Sequence, residues 1–196
     1  MRPKTCLQTL APLLKRPLFT TREAKAIGVS PAAINHYVKT GHLKRVSRGV
    51  YRGANSPSPS SRWTDLIEAA YSTGGTICLI SALAIYDLTE EIPRQHWIAI
   101  RHGTSAKKTH QIKILRFRNM ELGKTEIELE GLKIPIFDRE RTLIDAFRHL
   151  SRETAIKSLK SAIAIGGKNR LDLKKLESYA KKLRFDITPY LLSVTT

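Results

Sequence analysis

Side chains that can bind DNA bases and phosphate are concentrated between residues 20 and 52. Asn35 carries an amide that can both donate to and accept from adenine, and Lys39 can reach a phosphate or a guanine edge. The positions expected to contact DNA are Thr20, Thr21, Arg22, Ser30, Ala32, Asn35, His36, Lys39, Lys44, Arg45, Arg48 and Arg52. These residue types indicate a nucleic-acid-binding surface, and the alternative is a solvated polar face on a domain that binds protein.

A helix-turn-helix would hold these side chains in one surface. Thr20 or Thr21 can accept hydrogen bonds from the first N–H groups of a helix over residues 22–26. Ser30 is a favourable cap for a second helix, and the following Pro31 fits its first turn, where a missing N–H group costs nothing. The sequence therefore predicts two short helices joined by a tight turn.

The second predicted helix has two chemically different faces. Ile34 and Val38 recur at helical spacing and should pack against the first helix. The opposite side carries Asn35, His36 and Lys39, and we expect these three side chains to contact base edges.

Residues 43–52 predict a β-hairpin with a tight glycine turn, because short alternating strands flank Arg-Gly. Its basic side chains Lys44, Arg45 and Arg48 would enter or straddle the minor groove beside the helix. The beginning of the first helix, residues 20–22, would hold a phosphate, because free N–H groups point outward there.

Positive charge is concentrated in the same part of the chain. Residues 1–62 contain twelve Lys or Arg and one acidic residue, a net charge of +11 out of +17 for the whole chain. A phosphate-binding surface benefits from such one-sided charge, because neutralised phosphates release counterions and drive binding. We therefore predict a winged helix-turn-helix DNA-binding domain over residues 1–53, with double-stranded DNA as its partner.

The remainder of the chain predicts a second domain. Residues 54–61 are rich in Pro and Ser and indicate a linker. Residues 62–196 predict helices, then a mostly antiparallel sheet, then further helices, so the expected fold class is α+β. The widely separated Cys6 and Cys78, both flanked by apolar residues, predict reduced core thiols. No apolar run approaches the roughly 18 residues that span a membrane, and we expect a cytoplasmic protein.

Catalytic motifs are missing from the second predicted domain. A P-loop, GxGxxG, HExxH, GxSxG and paired CxxC are all absent from the sequence. An acid-x-Lys triplet of the kind used by some nucleases occurs at residues 172–174, but it lies at the start of a predicted helix, where Asp172 would serve as the cap.

Three alternating glutamates are the other acidic feature. Glu126, Glu128 and Glu130 fall on one side of a predicted strand and indicate its solvated face rather than a metal site. We therefore expect no enzymatic activity, no catalytic residue, no metal and no cofactor. Two alternatives stay open: a nuclease or other nucleic-acid-modifying enzyme in residues 62–196, and a protein-binding scaffold.

Residues 138–149 form a predicted helix that is unusually rich in charged groups. Arg141 and Asp145 stand four residues apart, the spacing at which opposite charges meet on a helix. We expect an internal ion pair together with a helix cap, and the alternative is a direct binding role.

Four segments resemble, in order and spacing, the AbiEi-type antitoxins of type IV toxin–antitoxin systems. They are residues 19–52, which contain Arg-Gly-Val-Tyr, ISALAIYDL at 80–88, HWIAIR at 96–101, and Glu-Arg-Thr-Leu-Ile-Asp at 140–145.

The resemblance implies a two-part regulator associated with abortive infection. The winged domain would bind inverted repeats in its own promoter and act as a transcriptional repressor of the operon. The second domain would act as the antitoxin against a nucleotidyltransferase-like toxin encoded beside it. In such systems the antitoxin opposes the toxin functionally and need not form a stable complex with it.

Overall fold

The computed structural model describes residues 6–56, 62–106 and 109–195. It divides into two compact units: residues 1–74 with 127–134 form the amino-terminal unit, and residues 75–126 with 135–196 form the carboxy-terminal unit. The linker expected at 54–61 stays a prediction, because residues 57–61 lie outside the described part of the chain. Within that part, no helix combines the length and the apolar character needed to cross a membrane.

In its described residues, the amino-terminal unit contains four helices and a three-stranded antiparallel sheet of order β1-β3-β2. Its elements, in chain order, are α1 (Cys6–Leu14), β1 (Phe19–Thr20), α2 (Thr21–Ala26), α3 (Pro31–Lys39), β2 (Leu43–Ser47), β3 (Val50–Gly53) and α4 (Thr64–Thr73). The predicted pair of short helices and the hairpin that follows them are therefore present.

Local hydrogen bonds explain where the two short helices begin. The Thr20 hydroxyl accepts from the Glu23 N–H at 3.2 Å, while a Glu23 carboxylate oxygen accepts from the Thr20 N–H at 2.7 Å. This capping box satisfies two backbone N–H donors at once. The Ser30 hydroxyl accepts from the Ala33 N–H at 3.2 Å, and Pro31 is the first residue of α3, as expected.

An apolar core joins these elements. Leu10, Phe19, Ala24 and Ile34 are 0% exposed, and Leu43 is 2% exposed. They come from α1, β1, α2, α3 and β2, so each element contributes at least one fully buried side chain. Burial of one such aliphatic or aromatic side chain stabilises a fold by about 1.5–3 kcal/mol. The core therefore fixes which face of α3 is turned to solvent.

The carboxy-terminal unit contains most of a five-stranded sheet, of order β6-β5-β4-β8-β7, and five helices within the described residues. Its elements are β4 (Thr76–Ile77), α5 (Leu79–Ile85), β5 (His96–Arg101), β6 (Ile112–Phe117), β7 (Lys124–Leu129), β8 (Leu132–Phe137), α6 (Arg139–His149), α7 (Arg152–Ala164), a 3-10 turn (Gly167–Asn169), α8 (Leu173–Lys182) and α9 (Thr188–Thr195). Residues 127–134 belong to the amino-terminal unit; they comprise the end of β7, the turn after it and the start of β8.

The expectation of a mostly antiparallel sheet is wrong. β5 and β6 run parallel from the pair His96 and Ile112 onward, and β4 is parallel to β8 at Ile77 and Ile136, whereas β4 and β5 are antiparallel. The connection at 102–111 is long enough for parallel pairing. The chain must return along a six-residue strand about 20 Å long, and ten extended residues reach about 33 Å. The sheet is mixed, so the fold class remains α+β.

Ser81 and Cys6 also differ from expectation. From the sequence, Ser81 is a favourable helix cap within the apolar run at 76–88, but α5 begins at Leu79 and Ser81 is buried inside it. Its hydroxyl accepts instead from the Trp97 N–H at 2.9 Å. Both cysteines are free thiols; Cys78 is buried as expected, but Cys6 is exposed, so only Cys78 is a core residue.

Candidate nucleic-acid interface

Helix α3 exposes the side chains expected to contact bases. Ile34 is fully buried, whereas Asn35, His36 and Lys39 are exposed on the remaining surface of the helix. Ala32, near the beginning of α3, is exposed as well. The polar face of α3 is therefore free to meet a ligand of the amino-terminal unit, and its small first residues would permit close approach.

The end of α3 is held by a group of side chains that the sequence did not single out. The Tyr37 ring makes edge contacts with the rings of His36 and His42, with centroids 5.5 and 5.9 Å apart. The Thr40 hydroxyl donates to the His36 carbonyl at 3.1 Å and lies 3.0 Å from His42 Nδ1. These contacts restrict the last turn of α3, which carries Lys39. The sequence signal for this group of contacts was His42, which directly follows the helix-ending Gly41.

The β2–β3 hairpin presents three exposed cations, Lys44, Arg45 and Arg48. The strand register shifts between Arg45 and Ser47, and the Arg45 Nε donates to the Ser47 carbonyl at 3.4 Å. Gly49 has φ +78°, which a residue with a side chain adopts only with strain. The hairpin tip is therefore a defined turn that carries positive charge.

Thr21 connects this turn to helix α2. Both its N–H and its hydroxyl donate to the Gly49 carbonyl, at 2.9 and 3.3 Å. The Thr20 hydroxyl is likewise engaged, since it donates to a Glu23 carboxylate oxygen at 2.9 Å in addition to its role as cap. Arg16 pairs with the same carboxylate at 2.8 Å. Of the three residues expected to hold phosphate at α2, Arg22 is the exposed one.

Ser30 and Arg52 lie at the margins of the expected surface. Ser30 is exposed, but its hydroxyl caps α3. Arg52 is only partly exposed and lies near α4. There, burial raises the pKa of the Glu68 carboxyl, the charge of Asp65 raises it further, and the Arg52 guanidinium lowers it. Arg52 is therefore partly committed to a carboxylate within its own unit.

Acidic residues in the described part of the chain do not assemble into a metal centre: no three His, Cys, Asp or Glu side chains lie close enough to hold an ion. Asp172 caps α8 and accepts from the Lys175 N–H at 3.0 Å, as the sequence predicted. Glu126 and Glu128 are exposed, and Glu130 accepts from the Thr64 hydroxyl at 3.4 Å.

The charged residues of α6 form a buried network in the carboxy-terminal unit. The predicted pair is confirmed: Arg141 Nε lies 2.7 Å from Asp145 Oδ2, and both side chains are 1% exposed. Arg141 Nη1 also donates to the carbonyls of Asn119 and Leu122, at 3.1 and 2.7 Å. Burial raises the pKa of Asp145, and Arg141 opposes that rise. This pair holds the loop after β6 against α6.

Part of the chain matches a protein-family model. Residues 8–52 match a protein family described as transcriptional regulator, AbiEi antitoxin. The match covers 45 of the 196 residues, from within α1 almost to the end of β3. The other three segments of the resemblance lie outside it, and no curated protein matches the chain. The resemblance to AbiEi antitoxins is therefore confirmed over residues 8–52, the segment that contains the expected DNA-binding elements.

Proposed function

We propose that the amino-terminal unit is a winged helix-turn-helix that binds DNA sequence-specifically, and that the protein represses transcription of its own operon. In this arrangement α3 lies in the major groove and the β2–β3 hairpin is the wing. The match of residues 8–52 to a family of transcriptional regulators supports this proposal.

One observation carries the proposal: α3 buries Ile34 in the core while it leaves Asn35, His36 and Lys39 exposed together. The major groove of B-DNA admits an α-helix, so these three side chains could reach the base edges. The amide of Asn35 would bind the N6 and N7 groups of an adenine, and Lys39 would bind a guanine edge or a phosphate.

Arginine and lysine outside α3 would supply the phosphate contacts. Arg22 lies on α2, and Lys44, Arg45 and Arg48 lie on the hairpin; all four are exposed. Ala32 would allow close approach of the helix, while Thr20, Thr21 and Ser30 would position the helices through the bonds that they make. The Arg52 side chain is only partly exposed, so it would attract DNA at long range rather than contact a phosphate directly.

The antitoxin role is the second part of the proposal. The chain would oppose a nucleotidyltransferase-like toxin through its carboxy-terminal unit, functionally rather than as a stable complex, in the cytoplasm where its operator is found. The match to an antitoxin family supports this role. Expression of the neighbouring reading frame in a host, with and without the intact chain, tests it: rescue of growth supports the role, and continued toxicity refutes it.

Asn35→Ala should weaken binding to the operator by about 1–3 kcal/mol, because the bidentate contact with adenine would be lost. Binding to random DNA should change little, since that depends on phosphate contacts. A gel-shift titration on the upstream promoter and on a scrambled duplex measures both. Asn55→Ala is the matched control, because Asn55 is also exposed in this unit but lies outside α3. Equal losses on the two duplexes would refute the assignment of Asn35 to base recognition.

Salt dependence tests the hairpin cations separately. With about six phosphate contacts, log K should fall against log salt with a slope near −5. Arg48→Ala should weaken operator and random DNA alike and make this slope shallower by about 1. Lys25→Ala, which removes an exposed cation on α2 outside the proposed interface, should leave the slope unchanged. An unchanged slope for Arg48→Ala would remove the hairpin tip from the phosphate-binding surface.

A further inference from the structure

A strongly basic cavity lies within the carboxy-terminal unit, separate from the proposed DNA-binding surface. Its volume is about 270 Å³. The exposed charged or titratable side chains that line it are Arg116, Arg118, Arg148, His149, Lys182 and Arg184. None of these residues was identified from the sequence as part of a common site.

Three elements that are distant in sequence bring these cations together. Arg116 and Arg118 are at the end of β6, Arg148 and His149 are in the last turn of α6, and Lys182 ends α8. The His149 ring stacks on the buried Phe117 ring, with centroids 5.3 Å apart and an interplanar angle of 22°. His149 is itself exposed, and since Phe117 stacks on one face of its ring, a base would stack on the opposite face.

Four of the cations lack a negative partner within the described residues. Arg116, Arg118, Lys182 and Arg184 are exposed and form no ion pair there. Two of the lining arginines, Arg141 and Arg148, already share the Asp145 carboxylate, at 2.7 and 3.0 Å. The cavity therefore has an excess of positive charge that the protein does not neutralise.

Helix ends account for only part of this charge. Cations in the last turn of a helix are stabilised by the helix dipole, which explains Arg148 and Lys182. It does not explain Arg116 in β6, Arg118 directly after β6, or Arg184, which lies beyond α8. Clustered arginines have the planar donors that bind phosphate oxygens in pairs.

We propose that this cavity binds the phosphate groups of a nucleoside polyphosphate, with the outer face of the His149 ring stacked on the base. One phosphate carries about two negative charges and would leave half of the four unpaired cations without a partner. A polyphosphate engages all four. The cavity is slightly below the roughly 300 Å³ typical of pockets that enclose a small molecule, so it holds the phosphates while the base lies at the surface.

The state of His149 agrees with a stacking role. Burial lowers the pKa of His149; Asp145 raises it, and Arg148 and Arg141 lower it again. The lowered pKa favours the neutral imidazole, which adds no further positive charge beside the guanidinium groups.

Calorimetric titration of the full chain with ATP, inorganic tripolyphosphate and a 20-mer duplex, in magnesium-free buffer, tests the proposal. ATP and tripolyphosphate should each bind with one-to-one stoichiometry. Arg118→Gln combined with Lys182→Gln should weaken both at least about tenfold, since each removes a charged contact with phosphate. The matched control is Lys160→Gln with Lys174→Gln, which removes the same charge from exposed positions that do not line the cavity. His149→Ala should weaken ATP but not tripolyphosphate.

Three results would overturn the proposal. They are no binding of either phosphate compound below millimolar concentration, equal losses in the cavity and control variants, or a cavity variant that loses binding of the 20-mer duplex but of neither phosphate compound. The proposal does not depend on the DNA-binding function, and the two are tested separately. Operator binding by the Arg118→Gln, Lys182→Gln variant should equal that of the control variant.

Discussion

Replacing Asp145 with alanine should lower the free energy of unfolding by about 3–5 kcal/mol, because the substitution leaves the Arg141 guanidinium buried without its counterion. Arg141 and Asp145 are each 1% exposed, so water cannot replace the lost carboxylate without opening the structure. Arg141 also lies 4.5 Å from the Phe137 ring centre, and the aromatic contact offers only partial compensation. Urea denaturation of the wild type and the variant measures the difference.

Helix α7 provides a matched control for this prediction. Glu153 and Lys157 have the same four-residue spacing and a distance of 2.6 Å, but their side chains are 76% and 74% exposed. Glu153→Ala should leave stability nearly unchanged, since exposed pairs contribute little. Asp145→Asn serves as a milder variant if Asp145→Ala does not accumulate as folded protein. A loss below about 1 kcal/mol for both Asp145 variants would contradict the structural role of the pair.

Reversing the charge of two hairpin residues, in the variant Arg45→Glu with Arg48→Glu, should reduce operator binding at least about 100-fold near 0.1 M salt. The variant loses two phosphate contacts and places two carboxylates beside the DNA backbone. Both side chains are exposed, and Arg45 makes only a 3.4 Å bond to the Ser47 carbonyl, so the fold should persist. Fluorescence anisotropy with a labelled operator measures affinity, and thermal unfolding confirms that the variant is folded.

Net charge alone could produce part of that loss, and a second variant separates the two effects. Lys174→Glu with Lys181→Glu changes the overall charge equally at exposed positions of α8. It should reduce operator binding by a much smaller factor, because these two residues are not among the proposed DNA contacts and charge without local contact is screened at 0.1 M salt. Similar losses in the two variants would show that the hairpin has no local contact with DNA.

Local features of the fold were predictable because their signals are local. Ser30 followed by Pro31 identified the start of α3, and Asp172 identified the cap of α8. In each case one short side chain near a helix start accepts from an N–H group three residues ahead, so the sequence contains both partners. The exposed and buried faces of α3 followed from helical spacing for the same reason.

Long-range features were not predictable. Short connections between strands favour antiparallel pairing, yet the loop between β5 and β6 is just long enough to return the chain for parallel pairing. Ser81 could serve as a helix cap or accept from a distant N–H, and only the position of Trp97 decides between them. The basic cavity was missed because its cations belong to three separate elements.

The hydroxyl groups of Thr20 and Thr21 at the beginning of α2 make bonds within the protein. Thr20 and Thr21 were expected near a phosphate, and the structure shows that their hydroxyls bond to Glu23 and to the Gly49 carbonyl. Thr21 therefore links α2 to the hairpin tip, while Thr20 caps α2. A loss of DNA binding on their replacement would reflect a displaced hairpin as well as any lost contact with phosphate.

A double-mutant cycle between Asn35 and a single adenine tests the central claim most directly. Operators in which 7-deazaadenine replaces one adenine at a time lack the N7 acceptor of the major groove at that position. At one adenine in each half-site, the replacement should weaken binding of the wild type about tenfold and leave binding of Asn35→Ala unchanged, a coupling of about 1.4 kcal/mol. Additive losses at every adenine would contradict the insertion of α3 into the major groove.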